Sequence, residues 1–406
     1  MTDAAAQPAG PNRPALAVFT AFLKLGLTNF GGPVAHIGYF RSEFVERRKW
    51  IDEKAYVDLV ALCQFLPGPA SSQVGIAIGI LRAGLPGAFC AWLGFTTPSA
   101  LALILFAYGV ARIGDLGHAT WLHGLKIVAV AVVAQAVWSM ARTLCPDRER
   151  ATIATVAAVA TLMIPGTIGQ VAIIVAGGLI GWRLLPAVPA DAETRASVPI
   201  SRAVSVIALT TFAILLVGLP LLAAAWPNQA LILFDAFYRT GSLVFGGGHV
   251  VLPLLQQEVV PRGFVDNDTF LAGYGAAQAV PGPLFTFAAY LGAVMKSPPG
   301  GWIGGVICLV AIFLPSFLLV IGVMPFWSDL RRHAEVQAGL KGVNAAVVGL
   351  LLAALYTPVW TSAIKGPADF AIGIAAFLLL AFWVVPPWLV VVLGAGAAVA
   401  ANFVSM

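Results

Sequence analysis

The chain has 406 residues, of which 60% are hydrophobic and only 10% are charged, and its mean hydropathy is +0.91. Soluble domains carry about 25% charged residues, so this composition excludes a soluble protein and predicts an integral membrane protein. The net charge of +5 lies in loops, and we interpret it as a topology signal rather than as a nucleic-acid footprint. The four cysteines form no CxxC pair and are expected to pack as small apolar residues.

The chain is predicted to begin with a short cytoplasmic tail, residues 1–14, because this stretch has no apolar core of a signal peptide. Apolar runs of near-spanning length then recur to the end, separated by short polar or Pro/Gly-rich loops, which is typical of a polytopic helical bundle. Ten-residue alternating strand patterns are absent, which argues against an outer-membrane barrel. We divide the rest into a first repeat (15–186), a linker with an extra transmembrane helix (187–229) and a second repeat (230–406).

The repeat is visible in several spaced matches that keep one order. "FTAFLKLGLTNFGGP" (Phe19–Pro33) aligns without a gap with "FDAFYRTGSLVFGGG" (Phe234–Gly248), and "GLKIVAVAVV" (Gly124–Val133) aligns with "GLKGVNAAVV" (Gly339–Val348). Between them, Gln-x-x-Pro-Gly-Pro occurs in both halves. Internal symmetry of this kind is typical of secondary transporters.

The distribution of positive charge predicts that the two repeats have opposite orientations. The loop Arg41–Lys54 carries five Lys/Arg, whereas its counterpart Leu255–Asp268 carries only Arg262. If each repeat crosses the membrane an even number of times, the one additional helix in the linker inverts the second repeat. The positive-inside rule then places the N-terminus in the cytoplasm and the C-terminus outside. The first apolar segment must turn back at Phe-Gly-Gly to keep Arg41–Lys54 inside. The predicted fold is therefore an all-α membrane protein of two inverted-topology repeats joined by a linker helix.

Helices are expected to break at glycine and proline clusters inside the apolar segments. Such breaks expose backbone N–H groups at the start of the next helix, where an anion can bind; a tight-packing kink is the structural alternative. The break residues are Gly31, Gly32, Pro67, Pro69, Gly246, Gly247, Pro281 and Pro283. The neighbouring predicted substrate-binding residues are Gln64, Gly68, Ser71, Ser72, Gln278, Gly282 and Thr286. Because Ser71-Ser72 faces Phe285-Thr286 in the alignment, we expect the anion nearer the first Pro-Gly-Pro.

Cations within apolar segments form the second group of candidates. Lys24 and Arg239 match and lie mid-segment, so we predict that they bind substrate by neutralising its charge; snorkelling to a headgroup is the alternative for the other pairs. A second-rank set comprises Arg82, Lys296, Lys126, Lys341, His36, His249 and Asn344. The two histidines either contact the anion, carry a proton or simply pack.

Other chemistries find no support in the sequence. No matched carboxylate pair is identified in the apolar cores, which argues against a cation transporter with a carboxylate relay. Walker A, HExxH and metal-ligand spacings are absent. We therefore predict no enzyme activity, no cofactor and no metal site.

These motifs resemble the CHR family of chromate ion transporters in its long two-domain form. The densest parts of the resemblance are "FGGPVAHIGYFRSEFVERRKW" (Phe30–Trp50), "DLVALCQFLPGPASSQ" (Asp58–Gln73) and "FGGGHVVLPLL" (Phe245–Leu255). The resemblance implies export of chromate across the bacterial cytoplasmic membrane, resistance to chromate, and two homologous halves of opposite orientation.

We expect the dianion to bind between the two Pro-Gly-Pro breaks, and transport to be driven by the membrane potential or by a proton gradient. Sulfate, which has the same tetrahedral shape, remains an alternative substrate, and another oxyanion transporter or an anion channel is the alternative function. The lipid bilayer is the other expected partner, nucleic acid is not one, and a homodimer remains open.

Overall fold

The computed structural model describes residues 14–113, 120–186 and 199–405. These residues form helices and connecting turns without strands, which confirms the prediction of an all-α membrane protein. Most of the predicted tail and the polar part of the linker, residues 187–198, lie outside the described residues.

The described residues of the first half form seven helices. They are α1 (Pro14–Thr28), α2 (Gly32–Arg41, continued by a π-helical turn Ser42–Arg47), α3 (Glu53–Phe65), α4 (Ala70–Ile113), α5 (Thr120–Leu144), α6 (Arg148–Met163) and α7 (Thr167–Leu184). Helix α8 (Arg202–Ala225) follows as the linker helix.

The described residues of the second half form ten helices. Its helices are α9 (Gln229–Leu243), α10 (Val251–Val259), α11 (Asn267–Ala277), α12 (Phe287–Val294), α13 (Gly301–Val323), α14 (Trp327–Leu330), α15 (Ala334–Ala354), α16 (Thr361–Ala363), α17 (Pro367–Ala381) and α18 (Pro387–Ser405). Single 3₁₀ turns precede α10 and α12.

Local chemistry explains where matching helices begin and end. Asp52 caps α3 by accepting the Ala55 amide, and Asp266 caps α11 by accepting the Thr269 amide. Three residues before each cap the backbone has positive φ, at Lys49 (φ 52°) and at Gly263 (φ 71°). The same backbone bend is therefore made with different side chains.

Helix α4 is interrupted directly after Arg82. Its backbone is not helical at Ala83 or at Gly84, where φ is 64° and ψ is −153°. In the alignment of the two halves, the first piece of α4, from Ala70 to Arg82, corresponds to α12, and the second piece corresponds to α13. The equivalent of this bend, Gly301, has φ 59° at the start of α13.

The two halves exchange their last helices. Helices α6 and α7 of the first half pack against α15 of the second, and α17 and α18 of the second half pack against α5 of the first. Small residues make these contacts close: a Cβ on Gly181 would lie 2.6 Å from the Cα of Gly342, and one on Gly124 would lie 2.7 Å from the Cα of Ala395. Close backbone approach of this kind is a common way to pack helices in membranes. The two halves are thus interlocked rather than side by side.

Within residues 14–113, 120–186 and 199–405, six helical stretches are long and apolar enough to cross a membrane. They are Ala70–Arg112, Thr120–Leu144, Thr167–Leu184, Arg202–Ala225, Gly301–Leu330 and Ala334–Ala363. Only 11% of the most apolar window of the linker helix α8 is buried within the protein, so this helix presents most of its surface outward. The chain is a multi-pass membrane protein.

Candidate functional site

The broken segments of the two halves complete each other at the centre of the molecule. The Gly68 amide of the first Pro-Gly-Pro donates to the carbonyl of Val244, which directly precedes the second Phe-Gly-Gly, at 2.7 Å. Reciprocally, the Gly282 amide donates to the carbonyl of Asn29, which precedes the first Phe-Gly-Gly, at 2.9 Å. Each break therefore finds its hydrogen-bond partner in the opposite half, as unpaired backbone groups inside a membrane require.

A serine from the opposite half packs against the glycine of each Pro-Gly-Pro turn. A Cβ on Gly68 would lie 2.7 Å from Ser316 Oγ, and a Cβ on Gly282 would lie 2.9 Å from Ser99 Oγ. Both glycines have positive φ, 124° and 99°, so a side chain at either position would be strained as well as crowded. Ser99 and Ser316 each follow a proline, Pro98 and Pro315, so both halves contribute a Pro-Ser sequence to these contacts.

A cavity of about 420 Å³ lies at one of these two junctions, the contact between the first Phe-Gly-Gly and the second Pro-Gly-Pro. Its wall comes from the first Phe-Gly-Gly break, from Gly282 and its neighbours in the second half, and from the loop before α18. Its polar side chains are those of Tyr39, Gln135, His249 and Gln278. None of the described residues that line it is Lys, Arg, Asp or Glu.

The N-terminus of helix α2 borders this cavity. Helix α2 begins at Gly32, its N-cap Gly31 has φ 106°, and no side chain caps its first amides. Pro387 and Trp388 at the start of α18 also line the cavity, but Pro386 and Pro387 have no N–H and the Leu389 amide donates to the Pro386 carbonyl, so α2 supplies the uncapped amides. These free amides and the positive end of the helix dipole favour an anion here. The cavity is therefore suited to a negatively charged ligand although its wall carries no formal charge.

His36 lies behind this wall and connects the two Pro-Gly-Pro breaks. It is 1% exposed, and its Nδ1 lies 3.3 Å from Ser71 Oγ. Its Nε2 lies 3.2 Å from the Asn29 carbonyl oxygen, the same oxygen that accepts the Gly282 amide. His249 lies in the cavity wall instead, with Nδ1 2.8 Å from the Tyr274 hydroxyl. The two histidines, two positions out of register in the sequence, occupy different environments.

The predicted polar residues divide between the two junctions. Gln278 lines the cavity, whereas its repeat partner Gln64 is exposed elsewhere. Ser71 and Ser72 are 2% and 3% exposed and do not line the cavity, and Thr286 donates to the Pro283 carbonyl at 2.7 Å. The cavity of about 420 Å³ thus lies beside the second Pro-Gly-Pro, whereas Ser71 and Ser72 follow the first.

The central predicted cations lie outside the cavity wall. Lys24 is exposed on α1. Arg239 forms ion pairs with Asp235 at 3.0 Å and with Glu258 at 3.2 Å, so carboxylates already neutralise its charge. Neither Lys24 nor Arg239 lines the cavity.

The second-rank cations and Asn344 have structural partners or exposed positions. Lys126 pairs with Asp268 at 3.1 Å, and Lys341 donates to the Pro186 carbonyl at 2.7 Å. Arg82 lies over the Trp50 ring, and Lys296 is exposed. Asn344 stands near the second Phe-Gly-Gly, since a Cβ on Gly246 would be 3.5 Å from its Oδ1.

A matched pair of buried carboxylates lies in the charged segments that follow Phe-Gly-Gly, outside the apolar cores, and the sequence analysis did not identify it. Glu43 and Glu258 are 7% and 1% exposed and stand at the same place when the halves are aligned from Phe-Gly-Gly. Each contacts an arginine four residues later, Arg47 in the first half and Arg262 in the second. Continuing the gapless alignment past Pro33 would have found them. Both carboxylates are bound by arginines, so they fix the helices α2 and α10 rather than forming an open relay.

The comparisons with known proteins agree on one family. The family described as "Chromate transporter" matches residues 16–182 and again 231–400. A chromate transport protein of Pseudomonas aeruginosa is 32% identical over 86% of this chain and 82% of its own length. A chromate transport protein of Cupriavidus metallidurans is 25% identical over 89% of this chain and 86% of its own length. An uncharacterized transporter of Methanocaldococcus jannaschii is 27% identical over 84% of each chain.

No solved structure matches this chain significantly. The family matches cover both halves separately, with the linker helix left between them. Because the relatives are transport proteins, the prediction that the chain is not an enzyme is confirmed. The chain belongs to the chromate transporter family.

Proposed function

We propose that this protein exports chromate across the bacterial cytoplasmic membrane and so confers resistance to chromate. The observation that carries the proposal is the cavity where the first Phe-Gly-Gly meets the second Pro-Gly-Pro, with the uncapped N-terminus of α2 in its wall. Family membership supplies the chemical identity of the anion, which the geometry by itself does not specify. A tetrahedral dianion is the kind of ligand that such a site accepts.

The anion is held by dipoles and neutral donors instead of by lysine or arginine. The amides at the start of α2 and the side-chain amide of Gln278 replace part of its hydration shell, and His249 offers a further ring nitrogen. The volume of about 420 Å³ leaves room for water around a single small anion. A site without a formal countercharge binds weakly enough to release its ligand, which transport requires.

The first Pro-Gly-Pro forms the equivalent site in the opposite conformation. Ser71, Ser72 and Gln64 stand there in the places of Phe285, Thr286 and Gln278. In inverted-repeat transporters the two halves exchange their conformations when the transporter changes between its inward-open and outward-open states. A cavity at one junction therefore closes while the equivalent cavity at the other junction opens. His36, which contacts Ser71 and the Asn29 carbonyl, is the side chain placed to connect the two junctions. We assign Lys24 and Arg239 to attraction of the anion and to helix packing, at a distance from the bound anion.

The two halves have opposite orientations in the membrane in this proposal, with the N-terminus cytoplasmic and the C-terminus external. Support comes from the charge contrast between the loops after α2 and after α10, and from the single linker helix α8 between the halves. The reciprocal hydrogen bonds at the two breaks are the contacts expected of halves related by a pseudo-twofold axis.

The membrane potential is a sufficient energy source for export. Moving one charge through 100 mV releases about 2.3 kcal/mol, so a dianion gains about 4.6 kcal/mol, equivalent to a concentration ratio of roughly a thousandfold. Proton antiport through His36 or His249 is the competing form of coupling.

Transport into liposomes tests the proposal. Purified protein is reconstituted, the potential is clamped with potassium and valinomycin, and chromate flux is followed with and without a pH gradient. We expect saturable flux that follows the potential at zero pH gradient. Flux driven by a pH gradient at zero potential would replace uniport by antiport, and unitary currents would make the protein a channel. Sulfate flux that exceeds chromate flux under the same conditions would overturn the substrate assignment.

A further inference from the structure

Two arginines pack against one tryptophan at the end of the first charged segment. The guanidinium carbon of Arg48 lies 5.1 Å from the centroid of the Trp50 ring, and that of Arg82 lies 5.3 Å from it. The indole is held in place because it also stacks on Phe44, with ring centroids 5.1 Å apart at 24°. Residues from two separate helical segments thus form one fixed cationic surface around Trp50, here called the Trp50 cluster.

The positive charge of this cluster is only partly compensated. Arg48 donates through Nε to Glu43 at 2.5 Å, a carboxylate that Arg47 also contacts. Arg82 forms no hydrogen bond or ion pair with any described residue, and its Nε is buried without an acceptor. A buried guanidinium N–H without a partner is costly. Arg82 therefore lacks the oxyanion that its donor geometry fits.

The surroundings of Arg82 indicate where that oxyanion comes from. The backbone of α4 leaves helical geometry directly after Arg82, at Ala83 and Gly84, so the guanidinium lies at the end of a helical piece. The next residues on the surface are apolar: Leu85 is 46% exposed and Phe89 is 53% exposed. A guanidinium beside an exposed apolar surface matches a ligand with a phosphate headgroup and an acyl chain better than a free ion.

The second half has no equivalent of the Trp50 cluster. Phe264 occupies the aligned place of Trp50, counted from the caps Asp52 and Asp266, and Arg262 is paired with Glu258. Lys296, the aligned partner of Arg82, is exposed and contacts no described aromatic ring. If the halves are inverted, such a site exists in only one leaflet, the one that faces the more basic loop.

We propose that the Trp50 cluster binds the phosphate group of an anionic phospholipid. Arg82 donates to the phosphate oxygens, Arg48 adds positive charge from the other segment, and the acyl chains lie along Leu85 and Phe89. This site is separate from the central cavity, and its occupancy does not depend on the transported anion. The lipid fastens the segment after α2 to the first piece of α4, both of which lead to the central breaks.

Lipid binding to the full-length protein tests this site. Delipidated protein in detergent is titrated with phosphatidylglycerol or with phosphatidylcholine, and bound lipid is counted by native mass spectrometry. We expect preferential retention of phosphatidylglycerol, and Arg82→Gln should weaken it by about fivefold or more, the contribution of one arginine at a membrane surface. Lys296→Gln is the matched control and should bind as the unmodified protein does.

Three results would overturn the proposal. The first is equal affinity for both lipids, and the second is unchanged phosphatidylglycerol binding in Arg82→Gln. The third is displacement of the lipid by millimolar inorganic phosphate or chromate, which would assign the cluster to a free oxyanion. If Arg82→Gln does not fold, Arg82→Lys replaces it: we expect weaker binding because an ammonium lacks the two-pronged donor, and unchanged affinity would again contradict the proposal.

Discussion

The Gly68 amide donates a 2.7 Å hydrogen bond to the Val244 carbonyl, and this bond joins the Pro-Gly-Pro of one half to the Phe-Gly-Gly of the other. Its counterpart joins Gly282 to Asn29 at 2.9 Å. A break in a membrane helix leaves backbone groups that lipid cannot satisfy. Here each half supplies the acceptor that the other half needs, so the central site is formed only when both halves are assembled.

The first prediction concerns Gly68. In Gly68→Ala the new Cβ would lie 2.6 Å from Gln73 Nε2 and 2.7 Å from Ser316 Oγ, at a φ of 124°. We expect a loss of stability of at least about 2 kcal/mol, measured as a lower unfolding temperature in detergent. Gly218→Ala, on α8 with nothing within 4 Å, is the control and should be neutral or slightly stabilising. Equal stability of the two variants would contradict the close packing of the junction.

The second prediction separates the two glutamines of the Gln-x-x-Pro-Gly-Pro motifs. Gln278 lines the cavity and Gln64 is exposed. A hydrogen bond to a charged ligand contributes about 1.5–3 kcal/mol, so Gln278→Ala should lower chromate kcat/KM by roughly tenfold to a hundredfold in liposomes. Gln64→Ala should have a smaller effect. A larger loss for Gln64→Ala would move the principal site to the first Pro-Gly-Pro.

The third prediction concerns an ion pair between the halves. Asp58 on α3 accepts hydrogen bonds from Arg331 and, at 3.1 Å, from Trp327 Nε1, and its side chain is 19% exposed. Asp58→Asn should destabilise the protein by about 1.5–3 kcal/mol. Asp268→Asn removes the pair with Lys126, but Asp268 is 51% exposed, so the loss should be below about 1 kcal/mol.

Thermal unfolding of both variants in the same detergent measures this difference. Reversal of the pair in Asp58→Arg with Arg331→Asp should recover part of the stability lost in Asp58→Arg alone. An absence of recovery would mean that the charge interaction contributes less than the local packing around Trp327.

The fourth prediction concerns orientation. Glu46 and Pro261 are aligned and both exposed, at the ends of the segments that follow the two Phe-Gly-Gly breaks. In a background in which the four native cysteines are replaced, Glu46→Cys and Pro261→Cys should react with a membrane-impermeant maleimide from opposite sides. Glu46→Cys should react only after the cytoplasmic face is exposed. Labelling of both from one side would exclude inverted repeats.

The sequence by itself determined the class of protein, the repeat and the places where helices stop. These features depend on local chemistry: hydropathy decides insertion, and glycine and proline limit the backbone at Gly31, Gly68, Gly246 and Gly282 whatever surrounds them. Alignment of the halves also contained the pair Glu43 and Glu258, although their burial could not be read from it.

Only the tertiary structure decided which break faces which, because those contacts join residues more than a hundred positions apart. The exchange of α6 and α7 for α17 and α18, the pairing of Gly68 with Val244, and the placement of the cavity beside Gln278 all depend on how helices of the two halves pack. The environments of the two matched cations also depend on the tertiary structure. Lys24 and Arg239 match in sequence, but packing leaves one exposed and gives the other two carboxylate partners. Sequence similarity fixes equivalent positions on the two helices, whereas the charge environment at each position comes from neighbours that the other half supplies.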